Sequence, residues 1–140
     1  MTINRKKTRV VNLNETGASL DFLGFTFRYD RDLHGSDRRY LNVFPAKKSV
    51  ARARNKLRDL TDRRRGMMPT TELVAEATRW LHAWGRYFRH GYPRQAFRQV
   101  NRFALLRLTQ HLQRRSQRAF RPPDGRSFYA HLQALGLRFL

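Results

Sequence analysis

Cations recur along this chain, many of them at intervals of three, four or seven residues: Lys48, Arg52, Lys56 and Arg63, then Arg79, Arg86 and Arg89, then Arg98 and Arg102, and further on Arg114, Arg115 and Arg118, with Lys47 ahead of them all. On a helix such intervals stack side chains on one face. Like charges so placed repel, and a polyphosphate strand turns the repulsion into attraction by releasing condensed counterions. Twenty-five of the 30 basic residues are arginines, whose planar guanidinium takes phosphate bidentately and stacks on bases. The chemistry to expect is polyanion binding. Other chemistries find less support. The ten carboxylates are scattered, and the closest pair, Asp30 and Asp32, sits in a charged stretch around an arginine, so no cluster suggests two-metal phosphoryl transfer. His82, His90, His111 and His131 match no ligand spacing and read as polar or packed residues. No phosphate-cradling glycine loop or nucleophile elbow is seen, cysteine is absent, and no cofactor is expected.

The charge is uneven. Of the formal +20, residues 1–46 hold 8 basic and 5 acidic groups while residues 47–140 hold 22 and 5. Self-repulsion at this level opposes compaction, which makes a neutralising partner the economical explanation. Nucleic acid, RNA or DNA, is the leading partner, an acidic protein is the alternative, and a membrane is not expected. No apolar run approaches the roughly 20 residues of a membrane span, and "MTINRKKTRV" lacks the apolar centre of a signal peptide, so a cytoplasmic location is expected.

The cations must be held by a fold, and the pattern is α+β, mostly α: a small N-terminal β-hairpin element, then a bundle of three main helices and a short C-terminal helix. "RVVNL" at 9–13 and "LDFLGFTFR" at 20–28 read as hairpin strands around the turn "NETGAS". "YDRDLHGSDRR" reads as a loop and "YLNVF" at 40–44 as a third strand ended by Pro45. A first helix is predicted over 47–64 from Val50, Ala53, Leu57 and Leu60. A second, capped by Thr70 or Thr71 with Glu72, buries Leu73, Val74, Ala77, Trp80, Leu81, Trp84, Tyr87 and Phe88 and stops at Gly91 and Pro93. A third covers 94–118, with Phe97, Val100, Ala104, Leu108 and Leu112 on one face and Phe103 and Leu106 beside it. "FYAHLQALGLRF" reads as a short last helix closed by Gly136. The aromatic residues of the second helix could stack bases, but their spacing with leucines reads as core.

In order, "KKTRVVNL", "LDFLGFTFR", "PAKKSVARARNKLRDLT" and "LHAWGRYFRHGYPRQAFRQVNRFALLRL" resemble the C-terminal part of group II intron reverse transcriptases, the maturases. The resemblance implies that Lys7 and Thr8 match the Lys-Thr pair closing the palm, that Phe22, Leu23, Gly24 and Phe25 match the primer grip, and that Trp84, Tyr87, Phe88, Gly91, Phe97 and Val100 belong to the thumb or maturase-specific domain X. It divides the chain into a palm-end, primer-grip-like β element over 1–46 and a maturase-specific bundle over 47–140. The metal-binding aspartate turn of the family's palm is not found in this sequence, so no enzymatic activity is expected. The implied function is an RNA-binding module that clamps structured intron-type RNA. Two rivals stand beside it: a non-catalytic piece of a split reverse transcriptase completing a separate palm, and a repurposed remnant binding nucleic acid or ribosomes generally. The apolar hairpin implies association through residues 20–28, with a second copy or with a palm-bearing polypeptide.

Overall fold

A computed structural model describes residues 11–15, 17–32, 38–115 and 120–140. Lys7 and Thr8, the start of the expected first strand, and Arg118 lie outside the described residues. Three antiparallel strands are followed by four α-helices: β1 Leu20–Phe22, β2 Phe25–Arg31, β3 Arg39–Pro45, α1 Lys47–Leu60, α2 Thr70–Phe88, α3 Arg94–Arg114 and α4 Phe128–Ala134. The sheet order is β1-β2-β3. The fold is α+β and mostly α, with three main helices and a short last one, as the sequence pattern predicts.

The hairpin is not the expected one. "LDFLGFTFR" is not one strand but two, folded at Leu23 and Gly24, so that Phe22 pairs with Phe25 and Leu20 with Phe27. Both turn residues have positive φ, 53° and 85°, which a two-residue turn matching the twist of its strands requires. Glycine reaches that region freely; leucine does not. Residues 11–13 form no strand, and the following segment turns through hydrogen bonds from Glu15 to Asn12 and from Ala18 to Glu15. The third strand stands where expected. The "YDR" of the expected loop extends β2, however, because Tyr29, Asp30 and Arg31 pair with Leu41, Tyr40 and Arg39.

α1 buries Val50, Ala53, Leu57 and Leu60, the narrow apolar face visible in the sequence. It stops at Leu60, short of residue 64, because Thr61 takes the C-cap and Asp62 caps a single 3-10 turn, Arg63–Arg65, by accepting from the Arg64 backbone. α2 starts at Thr70 with Pro69 in the N-cap position and no side-chain cap; the Thr70 hydroxyl instead meets the Arg115 guanidinium. α3 ends at Arg114 with Arg115 as C-cap. Leu73, Val74 and Leu81 of α2 meet Val50, Ala53 and Leu57 of α1 and Val100, Ala104 and Leu108 of α3 in one core, which Leu132 and Leu137 complete. Leu106 lies outside it, half exposed. Trp80 and Trp84 pack only partly against this core, and Tyr87 is 51% exposed, so the aromatic row is a boundary and not core throughout. No helix among the described residues is long and apolar enough to cross a membrane.

Two glycines fix the sheet on the bundle. A Cβ on Gly24 would stand 3.0 Å from Ser49 Oγ and 3.3 Å from the Phe88 ring; at Gly91 it would stand 2.2 Å from the Val43 carbonyl oxygen. The Gly24 carbonyl accepts from Ser49 Oγ at 2.7 Å and from the Ala46 backbone at 2.8 Å, while the Tyr92 backbone donates to Val43 at 2.7 Å. Gly24 therefore approaches α1 and α2 of its own chain. Phe25 follows it inward, stacked on Tyr87 at 5.6 Å and against Phe88 at 5.0 Å.

Candidate nucleic-acid interface

Because α1 turns one face to the core, the opposite face must meet water, and Lys48, Arg52 and Lys56 stand on it four residues apart. The same logic exposes Lys47, Arg63, Arg79, Arg86, Arg89, Arg98, Arg102, Arg114 and Arg115. Ion pairs among the described residues use other cations: Arg28 with Asp30 at 2.9 Å, Arg64 with Asp62 at 4.0 Å, and Arg65 with Glu76. Among the described residues no ion pair is seen for the twelve exposed candidates. Their field stands uncompensated toward solvent.

Three of the twelve form a continuous edge. Arg52 and Lys56 rim a groove of about 540 Å³ whose other walls are the Leu23–Gly24 turn and the rings of Trp80, Trp84, Tyr87 and Phe88. Lys56 also belongs to an adjoining depression of about 400 Å³ with Arg79, Arg65, Glu76 and Trp80. The groove is held open by a clamp: Tyr87 donates its hydroxyl to the Leu23 carbonyl at 2.7 Å, which keeps the strained turn over the end of α2. Trp84 leans on Phe88 at 4.5 Å and Phe97 at 5.8 Å, so the aromatic wall is braced from α3. Cations at the rim beside aromatic rings suit the phosphates and planar bases of a single strand.

Lys47 lies on another side, in a cavity of about 640 Å³ between sheet, α1 and α3. Its walls include residues not singled out in the sequence: Arg28, stacked at 4.9 Å over Phe44, Arg54, Gln99 and Asn42. Asn42 donates to Asp30 at 2.7 Å, and its own buried Oδ1 has no partner among the described residues. Arg54 follows Val50 by four residues, a spacing that could have flagged it, whereas Arg28 comes to the helices only through the pairing of β2 with β3. Arg63, Arg114 and Arg115 gather in a third cavity, of about 390 Å³, with Gly66 and His111. Lys48, Arg86, Arg89, Arg98 and Arg102 line none of these hollows and stand on open surface.

Thr61 organises the third cavity. Its hydroxyl donates to Leu57 at 2.7 Å and accepts from Arg107 Nε at 2.9 Å; its carbonyl accepts from Arg114 at 2.9 Å. His111, 2% exposed, is held below the usual histidine range, first by burial and then by the charges of Arg115 and Arg114, against a raising backbone hydrogen bond to Thr61 and with a smaller lowering by Arg107. Asp62 is held below the usual carboxylate range, chiefly by the Arg64 backbone hydrogen bond. No group of three or more histidine, cysteine or carboxylate side chains that could hold a metal ion is found among the described residues.

The chain belongs to the family described as the group II intron, maturase-specific domain, whose model matches residues 50–126. The match runs from the first turn of α1 to just past the 3-10 turn Pro123–Gly125, so it takes in all three main helices and the cationic edge, while the sheet lies ahead of it. Neither the curated proteins nor the solved structures return a match.

Proposed function

We propose that this chain is an RNA-binding module that clamps structured, intron-type RNA by phosphate contacts and so assists its folding or splicing. The observation that carries the reading is the edge formed by Arg52, Lys56 and Arg79, which lies inside the maturase-specific match, against the aromatic groove of α2. Phosphates follow the cations, and an unpaired base has Trp80, Trp84 and Tyr87 to stack on. Lys47, Lys48, Arg63, Arg86, Arg89, Arg98, Arg102, Arg114 and Arg115 extend the contact around the bundle. In this reading the chain supplies no catalytic residue. Crosslinking the protein to cellular RNA and sequencing what is retained tests it: enrichment of group II intron sequences is expected, and recovery of RNAs in proportion to their abundance would overturn it in favour of a general binder.

A second reading draws on the sheet. β1 pairs only with β2, so its other edge is open among the described residues, and Phe22 and Leu23 beside it are 59% and 67% exposed. Such an edge fits a strand from a second copy or from a separate palm-bearing polypeptide. Phe25 is engaged by Tyr87 and Phe88, so Phe22 is the residue to change: Phe22→Asp should lower the sedimentation coefficient of any complex without loss of helix content. A wild-type chain that sediments as a monomer at tens of micromolar, alone and with the candidate palm, would exclude association.

A further inference from the structure

We propose that the cavity between the ends of α1 and α3 is a phosphate cradle, in which Arg63, Arg114 and Arg115 hold one oxyanion of the RNA backbone and the His111 ring takes up a proton as the anion enters. The inference deepens the RNA-binding reading and rests on it. Three observations support it. The first is composition: the cavity, about 390 Å³, is lined by three arginines, His111 and Gly66, with no carboxylate among the described residues of its walls. The second is preorganisation, since neutral partners hold the guanidinium groups in place. Arg114 donates to the Thr61 carbonyl at 2.9 Å, Arg115 to the Thr70 hydroxyl, and neighbouring Arg107 to the Thr61 hydroxyl at 2.9 Å. Their positive charge is left for a ligand.

The third observation is the ring itself. His111, Arg114 and Arg115 stand at i, i+3 and i+4, so one ridge of α3 presents all three. His111 is 2% exposed, and its Nε2 is buried without a partner among the described residues. A buried nitrogen in that state calls for an explanation. Arg114, Arg115 and Arg107 face it from α3, Thr61 from the end of α1, and Arg63 from the turn beyond, while the Asp62 carboxylate interacts with Arg107 and Arg114. In the free protein burial and the arginines keep the ring neutral. An oxyanion cancels the arginine field and gives Nε2–H an acceptor, so the bound state prefers the protonated ring. Binding then takes up a proton. Affinity rises as pH falls through the histidine range, by at most about tenfold per pH unit for one proton, and the gain is lost as pH rises through the bound-state titration.

The test follows the His111 ring by NMR against pH in three samples: free protein, protein saturated with a 5′-hydroxyl RNA hairpin whose only phosphates are backbone diesters, and protein with inorganic phosphate. The His111 titration is expected to move to higher pH with the hairpin. In Arg63→Gln/Arg115→Gln, both on exposed positions, hairpin affinity should fall about tenfold and the displacement should vanish while the circular dichroism of the helices is kept. A hairpin that binds while the His111 titration stays in place overturns the cradle and leaves RNA binding intact. Displacement by inorganic phosphate without hairpin binding overturns the RNA source and the proposed function with it. No displacement by either anion overturns the cradle.

Discussion

Leu23 occupies a backbone region that costs a branched side chain of order 1–3 kcal/mol, and it is held there by neighbours and not by its own preference. Tyr87 binds its carbonyl, and Ser49 and Ala46 bind that of Gly24. Tyr87→Phe should therefore cost about 0.5–1.5 kcal/mol in urea unfolding, nearer the lower figure because the hydroxyl is exposed to water. A loss above about 3 kcal/mol would mean that the turn depends on more than this bond. His111 makes a second residue-level claim. Its folded-state pKa lies below the usual histidine value, so below that value the unfolded chain binds a proton that the native ring resists. Full stability is expected above the unfolded-state value, with a falling melting temperature as pH drops through the histidine range. His111→Gln, with no titrating ring, should flatten that part of the profile. Neither role was readable from the sequence, because Tyr87 falls on the same helical spacing as the core residues and His111 follows no motif. Each depends on which neighbour the tertiary fold supplies.

At the scale of elements, the apolar face of α1 and the buried Leu73, Val74, Ala77 and Leu81 of α2 were legible, because an apolar stripe at helical spacing has few other uses. The hairpin was misread. Nine residues rich in aromatic side chains fit the pattern of one strand, and the turn within them is marked by a single glycine beside a leucine that disfavours it. Helix ends were off where a local contact decided the boundary, as at Thr61 and at Pro69. The docking of sheet on bundle was not foreseen either, since it depends on Gly91 touching Val43 across 48 positions of sequence. Gly91→Ala tests that junction. The new Cβ must displace backbone at 2.2 Å and accept φ +76°, so a loss of at least about 1–3 kcal/mol is expected, with faster hydrogen exchange of the β3 amides before those of α2 and α3. Uniform exchange across sheet and bundle would contradict a separable junction.

For the whole molecule the decisive fact is a charge of +20, most of it on residues 47–140, arranged over a bundle whose core needs none of it. That distribution was legible from helical periodicity alone; the grouping of Arg52, Lys56 and Arg79 beside an aromatic wall was not, because it requires the packing of α1 on α2 and the turn of β1 into β2. If about five phosphates are neutralised on irregular RNA, the logarithm of affinity should fall with the logarithm of salt with a slope of roughly −3 to −4. A slope shallower than about −1 would remove phosphate contacts from the account. Charge alone would bind any polyanion, so the most direct test of the central claim is competition: the affinity of the protein for a folded group II intron RNA, measured by fluorescence anisotropy at fixed salt against unlabelled intron RNA, an unrelated folded RNA of equal length and duplex DNA. Intron RNA is expected to compete at least about tenfold better than either of the others, and equal competition by all three would contradict a maturase-type role.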